Sequence, residues 1–154
     1  VLLPLHPPND VRACQTVHRM MRRRNQTVLL DIRLTPPQWL GLIGRAALVI
    51  GVRLHALVFA AAQHVPMIGI SYDPKIDHFL HQLGDTPVGT TETVSAAALV
   101  EAALRKLETR EAERKRLAAL VTPLRERAWR PAQAIVDHFR ESRTPSTETP
   151  LSHL

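Results

Sequence analysis

An arginine and a histidine stand two residues apart in the stretch GVRLHAL, Gly51 to Leu57, inside a segment that is otherwise apolar. A guanidinium can hold a phosphate or carboxylate through two charge-assisted hydrogen bonds, each worth about 1.5–3 kcal/mol, and an imidazole with an ordinary pKa of about 6.5 can give or take a proton near neutrality. Inside a helix, residues two apart point about 200° away from each other, so Arg53 and His55 can serve one target only at a helix start. There the free N–H groups and the positive end of the helix dipole also favour an anion, the dipole by about 0.3–1 kcal/mol. The competing reading is that Arg53 pairs with a structural carboxylate and His55 is a satisfied polar group of the core. Spacing alone does not choose between them.

Ser71-Tyr72-Asp73-Pro74-Lys75 offers a phenol, a carboxylate and an ammonium in five residues. It can equally be a turn with Asp73-Pro74 starting a helix. His6 and Asp10 could line the same rim, although a loop or capping role explains them as well. His78 and His81 have i, i+3 spacing but no clear third ligand, so they read as surface histidines and no metal site is expected. Cys14 is the single cysteine, which excludes an intrachain disulfide, and it reads as a core residue. The Gly-rich dinucleotide fingerprint, the P-loop and the nucleophile elbow are all absent.

These residues need elements to hold them. Val1 to Leu5 reads as a strand, and HPPND leads into a helix from Asp10, as N-cap, to about Arg24, with Val11, Cys14, Val17 and Met21 as its apolar stripe. Thr27 to Ile32 reads as a second strand. Thr35 and Gln38 form a capping box opening a helix to about Gly44, with Trp39, Leu40 and Ile43 inward. Ala47 to Ile50 is a third strand, followed by a helix with Leu54, Leu57, Val58 and Ala61 on one stripe, ended by Pro66. PMIGIS is a fourth, nearly all apolar strand, as one buried along its length must be, and a helix to about Leu83 follows. Alternation of this kind predicts an α/β fold: a Rossmann-like parallel sheet with helices on both faces and ligands beyond the carboxyl ends of its strands.

From Ser95 the chain is helix-forming, with Leu99, Val100, Ala103, Leu104 and Leu107 as a stripe, and Pro123 and Pro131 are expected to break or kink it. The division expected is a Rossmann-like domain over residues 1–94, a helical segment over 95–142 and a disordered tail over 143–154. The chain has 154 residues, enough for one core, and carries 17 arginines against 3 lysines for a net charge of +6. The excess sits in RMMRRR and between Arg105 and Arg130, which admits anionic substrates, membrane surfaces or nucleic acid. Aromatic residues do not interleave with it, so a base-stacking platform is not expected. Nothing resembles a membrane span or a leader, and the absence of an initial methionine suggests a piece lacking its upstream part.

Taken together, ALVIGVRLHALVFAAAQHVPMIGISYDPKIDHFLHQLG, Ala47 to Gly84, resembles the polysaccharide pyruvyl transferases, especially the CsaB-type cell-wall enzymes, whose pattern is close to GMRLHALIFA, then GVP, then GISYDPKV. The resemblance implies the C-terminal, donor-binding half of a GT-B-like fold, with the N-terminal half as a further partner. It implies transfer of the enolpyruvyl group of phosphoenolpyruvate to a cell-wall or exopolysaccharide sugar, forming a pyruvate ketal with release of phosphate. Arg53, Leu54 and His55 would bind the donor, with Arg53 and His55 catalytic, and Tyr72, Asp73 and Lys75 would contact the substrate. No cofactor beyond the donor is implied, and the location would be cytoplasmic or peripheral at the inner membrane face, near a lipid-linked acceptor. Val52 and His64 depart from the pattern. The second puts a non-glycine residue at a helix end where glycine best accepts the left-handed conformation, at a cost in local stability rather than in donor binding. The alternatives are a sugar-nucleotide glycosyltransferase or epimerase half-domain, and a basic module binding nucleic acid or membrane surface.

Overall fold

The structure is a computed structural model, and it describes residues 1–141. Its centre is a parallel pair of three-residue strands, β1 (Val49–Gly51) and β2 (Met67–Gly69), with Val49 opposite Met67 and Gly51 opposite Gly69. Helix α3 (Leu54–Ala62) makes the crossover between them. Two glycines stand side by side where the sheet meets this helix. A Cβ on Gly51 would lie 2.9 Å from Leu57 Cδ2, and one on Gly69 would lie 2.5 Å from Leu80 Cδ1 and 3.2 Å from Leu57 Cδ1. The absence of side chains is what lets the helices pack this closely. Every residue of β2 is buried, as its apolar run requires.

Helix α2 (Pro36–Ile43) starts as expected, with Gln38 Oε1 accepting from the Thr35 N–H at 2.9 Å and from its hydroxyl at 3.0 Å, and it buries Trp39 and Ile43. In α3 the buried residues are Ala56, Leu57, Ala60 and Ala61, whereas Val58, expected inward, is exposed. Helix α4 (Pro74–Gln82) follows β2 and buries Ile76 and Leu80. Its Asp73 N-cap accepts from the Lys75 N–H at 3.0 Å, so the turn-and-start reading of Asp73-Pro74 describes the backbone there. These residues join Ile43, Leu57, Val65, Met67, Leu83 and Leu117 in one core.

The amino-terminal part departs from expectation. The predicted first and second strands reduce to a single parallel bridge between Leu2 and Leu29, made by Leu2 N–H to Val28 O at 2.7 Å and Leu30 N–H to Leu2 O at 3.0 Å. Pro4, Pro7 and Pro8 have no N–H to extend such a ladder, and Val28 and Ile32 remain exposed, so no second layer rewards a longer strand. Helix α1 (Asn9–Met20) has Pro8 rather than Asp10 at its N-cap, ends before Arg24, and buries none of its residues. Cys14 is half-buried rather than a core residue. A parallel α/β fold is thus present, with a smaller sheet than the four strands expected.

Helix α5 (Ala96–Glu108) is capped by Ser95, whose Oγ accepts from the Ala98 N–H at 3.1 Å, and its Val100, Leu104 and Leu107 are exposed. Helix α6 (Arg110–Glu141) continues through Pro123 and Pro131 instead of breaking. Both prolines are exposed, as are Ala119 and Arg127 four residues before them, so the carbonyls that lose a partner can turn to water. A charge network pins these helices to the end of α4. Lys106 Nζ reaches Asp85 at 2.9 Å and Glu113 at 2.6 Å, while Arg116 Nη2 reaches Asp85 at 2.8 Å and Glu113 at 2.9 Å. Arg116 Nη1 also donates to the Leu83 carbonyl. Among the described residues no helix is long and apolar enough to cross a membrane. The tail expected to be disordered, residues 143–154, lies outside the described residues.

Candidate functional site

The residues singled out in the sequence gather at the carboxyl ends of β1 and β2. Arg53 lies two residues after Gly51 and takes the N-cap position of α3 in an extended conformation, and His55 is the second residue of that helix. No side chain caps α3; in its first turn the Ala56 N–H donates to the Arg53 carbonyl at 3.0 Å, which leaves the Leu54 and His55 N–H groups open at the rim. Leu54 turns its side chain to the core cluster, so only its backbone faces the site. His55 is exposed, with its ring centroid 6.4 Å from that of Phe59.

Arg53 is forked to a carboxylate at the rim. Its Nε donates to both carboxylate oxygens of Asp10 at 3.2 Å, and its Nη2 to Oδ1 at 2.6 Å. The structural carboxylate considered from the sequence is therefore present. Burial alone would raise the Asp10 pKa, but the hydrogen bonds from Arg53 and the His6 N–H outweigh it and hold the group below its ordinary value. Asp10, then the Tyr72 hydroxyl, shift Arg53 still further toward the charged form. Arg53 and Tyr72 thus follow the carboxyl ends of the neighbouring strands β1 and β2.

Lys75 pairs with Asp73 at 2.9 Å, and the pair lies on the exposed start of α4. That contact lowers the Asp73 pKa and raises that of Lys75. Beside Tyr72 opens a cleft of about 310 Å³, walled by Ser71, Asp73, Asp77, Thr90, Thr91 and Glu92. Buried Ser71 donates to Asp77 Oδ2 at 2.5 Å, and its backbone pairs with the Thr90 segment. A larger cavity of about 570 Å³ lies at the far end of α3, between Ala62, His64 and the Arg125–Arg130 stretch of α6, and touches none of these residues. His78 and His81 are exposed on α4, and His78 meets Gln82.

The sequence reading brought Arg53, Tyr72, Asp73 and Lys75 to one rim, and the fold does the same. It also allowed Asp10 at this rim, where the fold puts it, but did not pair it with Arg53, and it missed the Ser71–Asp77 pair. Asp10 carried a readable signal, a carboxylate at the carboxyl end of the first strand, but the capping role it suggested was not the one it plays.

The rim's residues up to Pro74 fall in one stretch that can be compared with known proteins. Residues 1–74 match the polysaccharide pyruvyl transferase family model. The match bears out the resemblance drawn from the two motifs, and it includes Asp10, Arg53, His55, Tyr72 and Asp73 while ending before Lys75. No match was found among curated proteins or among solved structures.

Proposed function

We propose that this chain binds phosphoenolpyruvate at the Arg53 rim and serves transfer of its enolpyruvyl group to a saccharide. Two sugar hydroxyls add to C2 of the donor and the C2–O bond to phosphate breaks. One hydroxyl proton ends on C3, which becomes a methyl group, and the other leaves with phosphate. Arg53 and the open N–H groups of α3 hold the phosphate or carboxylate, His55 protonates the methylene carbon, and Tyr72, Asp73 and Lys75 line the approach. A positioned acid is worth about 10²–10⁴ in rate. The β1–α3–β2 unit is what the C-terminal half of a GT-B enzyme would contribute, with the acceptor meeting the donor across a second half. A donor made in the cytoplasm places the reaction there, at the membrane's inner face if the acceptor is lipid-linked.

One observation carries this reading. Arg53, inside the family-matching stretch, stands at an uncapped helix start with its Nη1 clear of the Asp10 carboxylate. Titration of the chain with phosphoenolpyruvate should show binding that Arg53→Ala weakens about ten- to a hundredfold, the loss of one charged hydrogen bond. Unchanged binding in that variant would reject the donor assignment. Binding of a nucleotide sugar with none of phosphoenolpyruvate would replace it by a glycosyltransferase or epimerase reading. In an enzyme that turns over, a pH–rate profile identical in His55→Gln would remove His55 from proton transfer.

A further inference from the structure

We infer that Asp10 is a positioning residue for the anion grip, fixing one edge of the Arg53 guanidinium so that its Nη1 side is presented at the amino end of α3. The inference rests on the donor reading above. A guanidinium carries five N–H donors in a planar fork. Asp10 takes Nε and Nη2, at 2.6–3.2 Å, and makes no bond to Nη1. The carboxylate is itself held. Its Oδ2 accepts from the His6 N–H at 2.9 Å while the Asp10 N–H donates to the His6 carbonyl at 3.1 Å, closing a ring between loop and side chain. The Asp10 side chain is 16% exposed and that of Arg53 37%, so the pair is sheltered on the Asp10 side and open on the other.

A flexible arginine at an open helix start could take many rotamers, and only some present two donors to one anion. The fork removes that freedom before a ligand arrives, which is the role outer partners play for other charged binding groups. The opposite effect of Asp10 is electrostatic, since a carboxylate beside Arg53 repels an incoming anion. The sign of the mutational effect therefore separates the two.

The test is calorimetric titration of the chain with phosphoenolpyruvate in wild type, Asp10→Asn, Asp10→Ala and Arg53→Ala. Alongside it, the ¹⁵N signal of the Arg53 Nε–H is followed without ligand. Positioning predicts that both Asp10 variants bind about ten- to a hundredfold more weakly, the range seen when outer partners of a binding group are lost. It also predicts that the Nε–H signal, held in wild type, broadens or exchanges away in Asp10→Asn while the unfolding midpoint stays near the wild-type value. Unchanged or tighter donor binding in the Asp10 variants would overturn it, tighter binding being what a competing carboxylate gives. If the wild type does not bind phosphoenolpyruvate, the donor reading falls on its own. The Nε–H signal then decides the positioning, supported by its loss in Asp10→Asn and overturned by its persistence.

Discussion

His64 takes a backbone conformation that side chains rarely adopt, with φ at 55°, because the helix before it ends in a Schellman turn. The Val65 N–H donates to the Ala60 carbonyl at 2.8 Å and the His64 N–H to that of Ala61 at 2.9 Å. Helix α4 ends with the same two bonds, Asp85 N–H to Leu80 O at 2.9 Å and Gly84 N–H to His81 O at 3.0 Å, but with glycine at the left-handed residue. The comparison predicts that His64→Gly stabilises the fold by about 0.5–1 kcal/mol, relief of left-handed strain less the added freedom of the unfolded chain. Urea unfolding measures it, and a lower midpoint would show that the His64 side chain contributes more than its backbone costs. This strain was readable in the sequence because the turn is local. The Asp10–Arg53 fork was not, because its partners are 43 positions apart and no pattern within either segment points to the other.

At the scale of elements, the signals that held were again local: the Thr35–Gln38 box and the Asp73-Pro74 start each involve neighbours three or fewer apart. Strands depend on what lies beside them, which is why two of the four expected reduced to one bridge. The docking of α5 and α6 through charged residues was also illegible, since Lys106, Glu113 and Arg116 read as ordinary helix-surface charges. Burial would raise the Glu113 pKa, but Arg116 and Lys106 outweigh it and bring it below 4.5. A lowered carboxylate pKa gives stability that is complete above the unfolded value and lost as pH falls through the folded one. Glu113→Gln should therefore cost about 1 kcal/mol at neutral pH, a charged contact discounted for partial exposure, and the gap from wild type should close below about pH 4.5. Urea unfolding of both proteins from pH 7 to pH 3 checks this, and a gap of constant size would refute it.

Across the whole molecule, one core is assembled from α2, α3, β2, α4 and a single buried side chain of α6, Leu117, which is 1% exposed. The long helix thus inserts Leu117 fully, packs half-buried Leu120, Val121 and Leu124 against the same core, and adds the charge network. Leu117→Ala is predicted to destabilise the protein by about 2–4 kcal/mol, the cost of a poorly refilled cavity, as read by chemical denaturation. A loss below about 1 kcal/mol, within the range typical of surface substitutions and exposed ion pairs, would mean that the charges and the half-buried Leu120, Val121 and Leu124 dock the helix without it. The glycine seam under α3 has a different kind of consequence. Gly51 and Gly69 face the same leucine from neighbouring strands, so residues 51, 57 and 69 share one volume. Changes there are not independent: a shorter residue at 57 opens the space that a Cβ at 51 needs, and at 69 Leu80 must yield as well. Scanned one residue at a time, the seam will look almost immutable; it can be remodelled only by compensating pairs.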